Sequence, residues 1–359
     1  MAVRHGSTPA RRSKRVTRRD VLGLAGGTAA AVASFGALRS LEALPAAATS
    51  ATPTASPTTA LPVSLDVDKF TYTRAAGPAR TLVHDPQKRL VATFTDTCRT
   101  VTVAGPQRVL AEPQGTGATI TSTTRVRFAP QPWTNGAEKT WGKPWLLSAL
   151  QDKSPDMLAI AMQYIQGARD LYDTHGVRYA GNASFGPQLA PGLPRDEASD
   201  FYDFMGVPWT FPDGRIKQPE PHRKGSMDCS GYLRMVLGHR MGFPLMSKSE
   251  RKPGPMLPRR AYAMAAYSPG LAVIPNRNIQ PNPAALKGLL PGDLVFFETD
   301  VIVEIDHSGI YMGIDSDGKH RFISSRGEPD GPTMGDLGRE STLDGAGPFT
   351  RGFRTARRI

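Results

Sequence analysis

The sequence is poor in cysteine and has no long hydrophobic run. Its 359 residues include two cysteines, Cys98 and Cys229. Two cysteines cannot build a disulfide framework or, alone, a structural zinc site, and no histidine pair stands beside them at ligand spacing. The weakly apolar stretch after residue 21 is short and glycine-rich, whereas a bilayer span needs about 20 apolar residues. We therefore expect no metal, no cofactor and no membrane span in the mature protein.

The sequence has fewer acidic than basic residues. The chain has 44 Lys and Arg against 32 Asp and Glu, and its formal net charge is +12. The first 48 residues hold eight Lys/Arg and two Asp/Glu, so half of the excess lies there. A mildly basic chain suits an anionic surface such as a cell wall. Nucleic acid is the competing partner, but we find no basic stripe interleaved with aromatics and no nucleic-acid-binding motif. We therefore expect no nucleic-acid binding.

The N-terminus has the pattern of a targeting signal. Arg18 and Arg19 follow a basic stretch, a Gly/Ala-rich apolar run comes next, and three alanines at 46–48 offer a cleavage site. This resembles a twin-arginine (Tat) export signal. The alternative is a chance arginine pair before a membrane anchor, for which the apolar run is too short. We expect residues 1–48 to be a Tat signal and the mature protein to be secreted to the cell wall.

The rest of the chain divides by composition. Residues 49–61 are rich in Thr, Ala and Pro and predict a linker. Residues 62–140 show short β-type runs, at 69–73, 90–95, 100–103, 118–120 and 125–128, and predict a β-rich accessory region. Residues 141–359 form the remaining domain. Its aperiodic, Pro- and Gly-rich segment at about 182–224 predicts a surface flap beside the site.

The order of elements in the second domain predicts its fold class. Apolar residues repeat at three and four over 154–173, which predicts a helix. A second helix begins at Asp228, which is a good N-cap residue. Three strands follow at 294–298, 308–313 and 321–325, with a turn at 315–318. Helices followed by strands indicate an α+β fold with an antiparallel sheet.

Two residues in this domain suggest covalent chemistry. Cys229 follows the N-cap Asp228, so it lies at the positive end of a helix, where a thiolate is stabilised. His307 begins a strand, where a rigid imidazole could accept the thiol proton. Taken singly, such a cysteine is more often a small buried side chain and such a histidine is more often structural. A permanent bridge between Cys98 and Cys229 would inactivate the site.

Three segments, taken in order, resemble the NlpC/P60 family of papain-like cysteine peptidases. They read D-C-S-G at 228–231, P-G-D-L-V-F-F at 291–297 and H-S-G-I-Y-M-G at 307–313. Two weaker matches are G-V-R-Y-A-G at 176–181 and L-P-R at 257–259. The resemblance covers roughly 154–326, less than half of the chain.

The resemblance implies a circularly permuted papain-like domain that hydrolyses an amide in the stem peptide of peptidoglycan. The bond is typically that between D-γ-glutamate and a diamino acid. Cys229 would be the nucleophile and His307 its base. Tyr179 and Ser230 match family positions that bind substrate. The partners implied are the stem peptide and the bacterial cell wall.

One family position departs from the pattern. The residue that orients the histidine is usually His, Asn or Gln, and here Ser324 holds that place after Phe322 and Ile323. We therefore expect Ser324 to be the third catalytic residue, with His320 on the same strand face as the alternative. Two other functions stay open: an amidase or acyltransferase with the same Cys–His pair, and a non-catalytic wall-binding protein.

Overall fold

A computed structural model describes residues 65–300 and 304–359. The expected signal, at 1–48, and the expected linker, at 49–61, lie outside these residues. The strands form a five-stranded sheet, a six-stranded sheet and two short ribbons, and every strand pair is antiparallel, with short helices between them. The fold is therefore mixed α+β. No helix in the described ranges is long and apolar enough to cross a membrane.

The accessory region forms the five-stranded sheet, whose strands pair in chain order. The predicted run at 90–95 is one of these strands, whereas the runs at 118–120 and 125–128 form a single strand. Trp133 anchors the core, since its ring stacks on Phe94 at 3.9 Å between centroids and its Nε1 donates to Thr81 Oγ1. The strands are β1 (Thr71–Ala75), β2 (Arg80–His84), β3 (Leu90–Thr95), β4 (Thr100–Ala111) and β5 (Thr119–Phe128).

Helix α1 (Gly142–Gln151) belongs to this accessory core. Leu146, Ala149 and Leu150 are buried in the same cluster as Phe94 and Trp133. The expected boundary at residue 140 is therefore too early, because the accessory core extends to the end of α1.

The second domain is built on the six-stranded sheet, whose order is β10-β15-β11-β12-β13-β14. The three predicted strands are β11, β12 and β13, adjacent in the sheet, with Phe297 opposite His307 and Ile310 opposite Ile323. The sequence did not predict β10, β14 and β15. The bounds are β10 (Leu271–Ile274), β11 (Leu294–Phe297), β12 (His307–Ile314), β13 (His320–Arg326), β14 (Gly331–Thr333) and β15 (Phe353–Arg358).

The helix predicted at 154–173 is wrong in length. Helix α2 spans Met157–Ala161, capped by Asp156, and one 3-10 turn carries it to Tyr164. Gly167 then has φ of 78°, a left-handed conformation that a helix cannot continue through. The apolar repeat continues past this point because its residues pack individually on the same core.

Short elements fill the rest of the domain. They are the ribbon of β6 (Leu171–Tyr172) and β7 (Arg178–Ala180), helix α3 (Phe201–Met205), the ribbon of β8 (Trp209–Thr210) and β9 (Ile216–Lys217), and helices α4 (Cys229–Leu233), α5 (Ala261–Tyr267) and α6 (Pro348–Gly352). Helix α4 continues directly as a π-helix over Arg234–Arg240. Leu233, Val236 and Leu237 on this helix are fully buried, as the sequence predicts.

Strand β15 joins the two parts of the molecule. Arg358 makes a buried ion pair with Asp293 at 2.8 Å and donates to Thr95 Oγ1 in the accessory sheet. The carbonyl of Ile359 accepts hydrogen bonds from the backbone N–H groups of Arg99 and Thr100. The accessory sheet is therefore bonded through its backbone to the sheet that carries His307.

Candidate active site

Cys229 is the first residue of α4. Asp228 caps this helix, and its Oδ1 accepts from the Gly231 N–H at 2.7 Å. The Cys229 side chain is 7% exposed, and its Sγ donates a long contact of 3.8 Å to the carbonyl oxygen of Asp306. The capped helix thus holds the thiol against the residue that precedes His307. Both cysteines are free thiols, so the structure contains no bridge between Cys98 and Cys229.

His307 is the first residue of β12. Its ring packs at 5.1 Å from the ring of Phe349 and 5.9 Å from that of Phe297. The ring Nε2 is buried and makes no hydrogen bond to any described residue. No hydrogen bond links His307 to Cys229 among the described residues either. Cys229 thus contacts the residue directly before His307 without a hydrogen bond to the imidazole itself.

Burial sets the charge of both groups. Burial and the nearby Asp228 carboxylate raise the pKa of Cys229 to about 12. Burial and the positive charges of Arg326 and Arg339 lower the pKa of His307 to about 3. At neutral pH the pair is therefore a thiol and a neutral imidazole. Burial thus opposes the thiolate that the helix start was expected to stabilise, because loss of solvation disfavours the charged form of the thiol.

Ser324 does not orient His307 in this structure. It lies on β13, beside Gly309 of β12, where a Cβ on that glycine would come within 3.3 Å of the Ser324 Cβ. Its Oγ is buried and, like Nε2 of His307, has no partner among the described residues. The expected hydrogen bond between them is therefore not formed.

The alternative, His320, lies at the other end of the strand. It stands opposite Ile314, and its Nδ1 is 2.7 Å from the hydroxyl of Tyr311. Since Ile314 and His307 are the two ends of β12, His320 is not the residue that orients His307.

Tyr179 and Ser230 both make contacts within the chain. The Tyr179 ring packs under the guanidinium of Arg240 at 4.7 Å, and Arg240 ends the helical segment that Cys229 begins. Ser230 is 2% exposed, and its hydroxyl donates to Asp228 and accepts from Arg259. A role of either side chain in substrate binding stays a prediction.

Arg259 is the residue that sequence reasoning missed. It donates to both carboxylate oxygens of Asp228, at 3.1 and 2.8 Å, and pairs with Asp200 at 3.1 Å. Arg234, which is fully buried, pairs with the same Asp200. The L-P-R match at 257–259 was the available signal, since it placed a cation near the helix that carries the nucleophile.

A cleft of about 800 Å³ opens beside His307. The segment at 182–224 supplies much of one wall, and Arg195 in that wall is tied to Asp330 by an ion pair of 2.9 Å. The wall residues from this segment are Phe185, Gln188, Gly192, Leu193, Pro194, Arg195 and Glu197.

The second half of this segment is not a surface flap. Phe201, Phe204 and Phe211 are buried in the main core. A Cβ on Gly231 would come within 2.4 Å of the Ser199 carbonyl, so the segment packs directly on the start of α4. The expected flap is therefore restricted to the residues before 198. Within the described ranges, no group of three or more His, Cys, Asp or Glu side chains could hold a metal ion.

Comparison with known proteins agrees with the motifs. Residues 208–331 match the family model described as NlpC/P60 family, and this segment contains Cys229 and His307. A crystal structure of an NlpC/P60 family protein from Bacillus cereus ATCC 10987 is 14% identical over 80% of this chain and 78% of that chain, with a TM-score of 0.25, too low to bear on the fold. None of the curated proteins compared with the chain matches it. The chain therefore carries an NlpC/P60 domain at residues 208–331.

Proposed function

We propose that the protein is an exported cell-wall hydrolase that cleaves the amide between D-γ-glutamate and a diamino acid in peptidoglycan stem peptides. An NlpC/P60 domain suggests a cell-wall peptidase or hydrolase. The single observation that supports the mechanism is the position of Cys229, at the start of a capped helix and 3.8 Å from the carbonyl before His307. The domain would have the circularly permuted papain-like order, and the Tat signal would direct its export.

The chemistry starts from two neutral groups. Because Cys229 is a thiol and His307 a neutral imidazole, His307 accepts the thiol proton as the sulfur attacks the γ-carbonyl carbon. The imidazolium then donates that proton to the departing amine as the C–N bond breaks. Water, deprotonated by His307, cleaves the thioester and regenerates the thiol. The substrate must bring the two groups together, since they are not hydrogen-bonded at rest.

The start of α4 can stabilise the tetrahedral intermediate. The first N–H groups of a helix have no partner within it. Asp228 satisfies the N–H of Gly231, which leaves the N–H of Cys229 to point toward developing negative charge. A pre-positioned backbone donor of this kind typically contributes about 10²–10³ in rate.

The test is mass spectrometry of peptidoglycan fragments after incubation with the mature protein. We expect a new amine and a new glutamyl carboxylate at the cut bond. Cys229→Ala should give no product while keeping the wild-type circular dichroism spectrum. Cys98→Ser is the matched control and should retain activity. Release of the whole stem peptide with a free N-terminal amine, or transfer of an acyl group, would assign the same Cys–His pair to an amidase or acyltransferase instead.

A further inference from the structure

Arg326 is a buried cation that faces the cleft. It is 3% exposed, it lines the cleft with His307, and its guanidinium lies over the Phe349 ring at 5.3 Å. Arg326 is the last residue of β13 and His307 is the first residue of β12, the antiparallel neighbour of that strand. The two side chains therefore project from neighbouring strands toward the same space.

The charge of Arg326 has no ion-pair partner among the described residues. Its Nη atoms donate to the carbonyls of Arg339 and Gly335 and to the hydroxyl of Ser341. Its Nε is buried and makes no hydrogen bond to any described residue. A buried charge is costly unless it is paired and fully hydrogen-bonded. Burial lowers the pKa of Arg326, whereas Glu112 and Asp336 act on this charge through space and raise the pKa, although neither forms an ion pair with it. A guanidinium without a direct ion pair at a cleft wall attracts an anionic ligand.

Arg339 adds a second positive charge beside it. It is exposed and lines the same cleft. The cleft also contains Glu197, Asp300 and Glu328, so its lining is of mixed charge. Near His307, however, the positive charges have the larger effect: Arg326 and Arg339 both lower the pKa of His307, and the opposing effect of Asp228 is smaller.

We propose that Arg326 and Arg339 bind a substrate carboxylate next to the scissile amide. The inference rests on the proposed function and specifies its substrate. A γ-linked glutamyl residue keeps its α-carboxylate free, and the diamino acid carries a carboxylate on the other side of the bond. Either could reach a guanidinium on the strand beside His307. The bound carboxylate would also offset the positive charges of Arg326 and Arg339, which add to burial in lowering the pKa of His307.

The experiment compares three forms of a γ-D-glutamyl-diaminopimelate peptide: unmodified, amidated on the glutamyl residue, and amidated on the diaminopimelate. We expect kcat/KM of the wild-type protein to fall about 10- to 100-fold for one amidated form, as for loss of a charge-assisted hydrogen bond. The amidated form with the lower kcat/KM identifies which carboxylate binds. Equal cleavage of all three forms would overturn the proposal.

Variants separate the binding role from a folding role. Arg339→Gln, at an exposed site, should lower kcat/KM for the unmodified peptide and abolish its advantage over the sensitive amidated form. Arg326→Gln should lower kcat/KM for the unmodified peptide more strongly than Arg339→Gln does. Its melting temperature should be measured beside the wild type, so that a folding defect is recognised. Arg80→Gln, in the accessory sheet, is the control for net charge. Equal loss on all three peptides in Arg339→Gln would contradict carboxylate binding.

Peptide binding to the Cys229→Ala protein tests the carboxylate site separately from the proposed hydrolase function. If the wild-type protein cleaves none of the peptides, the proposed function fails. Calorimetric titration would then still decide the carboxylate site. The site is supported if the Cys229→Ala protein binds the unmodified peptide more tightly than one amidated form and if Cys229→Ala/Arg339→Gln shows no such difference. Equal affinities for the peptides in Cys229→Ala would overturn the proposal.

Discussion

Arg259 and Asp228 form a two-point ion pair directly behind the nucleophile, with Nη1 and Nη2 at 3.1 and 2.8 Å from the two carboxylate oxygens. The same arginine reaches Asp200 and the backbone of the segment at 198–199. Asp228 in turn caps the helix that begins with Cys229. The ion pair thus fixes three things at once: the helix start, the segment that lies over it, and the position of the thiol.

Removing Arg259 should destabilise the fold strongly. Arg259→Met removes the buried counter-charge of Asp228, which is 2% exposed, and leaves Asp200 paired with Arg234 alone. Breaking a buried pair in this way costs about 3–5 kcal/mol of the free energy of unfolding. Urea unfolding followed by fluorescence measures it. Arg260→Met is the matched control, because Arg260 is 45% exposed and 3.6 Å from Asp228. Similar losses in the two variants would contradict the assigned role.

Alkylation of Cys229 should rise with pH without levelling off. A pKa of about 12 means that the thiolate fraction grows tenfold per pH unit throughout the range from 6 to 10. Iodoacetamide labelling of the Cys98→Ser protein, followed by mass spectrometry, gives the profile. Free cysteine is the reference and levels off above its pKa of about 8.5. A plateau between pH 4 and 7 would reveal a thiolate–imidazolium pair instead.

Ser324→Ala should have a small effect on turnover. The Ser324 hydroxyl makes no hydrogen bond to His307, so its removal takes away no orienting contact. We expect kcat to stay within about threefold of the wild-type value, against the 10²–10⁴ that loss of an orienting residue costs in related triads. Steady-state kinetics on a stem peptide measures it, with His307→Ala as the inactive reference. A loss of a hundredfold in Ser324→Ala would show that the hydroxyl engages His307 once substrate binds.

Loosening the cleft wall should expose the thiol. Arg195→Ala removes the ion pair to Asp330 that ties the wall to the turn after β13. A partly exposed pair contributes at most about 1 kcal/mol, so we expect up to a fivefold faster alkylation of Cys229. Arg215→Ala is the control, because Arg215 lies in the same segment but pairs only with Asp213 in its own hairpin. Unchanged labelling in Arg195→Ala would mean that this wall does not limit access.

Export should depend on the arginine pair. Changing Arg18 and Arg19 together to lysine removes the element that the Tat receptor reads. The precursor should then accumulate in the cytoplasm, as seen by immunoblot of cell fractions. Normal secretion of this variant would falsify the Tat assignment.

Local signals in the sequence predicted the centre of the domain well. The cap at Asp228, the strand run at 294–297 and the turn after Ile314 depend on short-range chemistry, and all three are present. The helix predicted at 154–173 failed because an apolar period cannot show a left-handed glycine at 167. Strand β15 has three arginines among its six residues and no apolar alternation, so its tertiary partners make it a strand.

The site was harder to predict, because its distinctive contacts join residues that are far apart in the sequence. Nothing local shows that Tyr179 packs under Arg240, or that Ser230 is held by Arg259. The pKa values of Cys229 and His307 likewise depend on burial by segments far apart in the chain. Motif matching identified Cys229 and His307 as candidates but did not show the charges around them.

Strand β15 has a consequence for how the larger sheet forms. It lies between β10 and β11 in the sheet, although it follows both of them in the sequence. Without residues 353–358, β10 would have no neighbour in the sheet and β11 would have an open edge. The sheet that carries His307 can therefore close only when a distant segment is inserted between two earlier strands, and pairing of this non-local kind forms slowly.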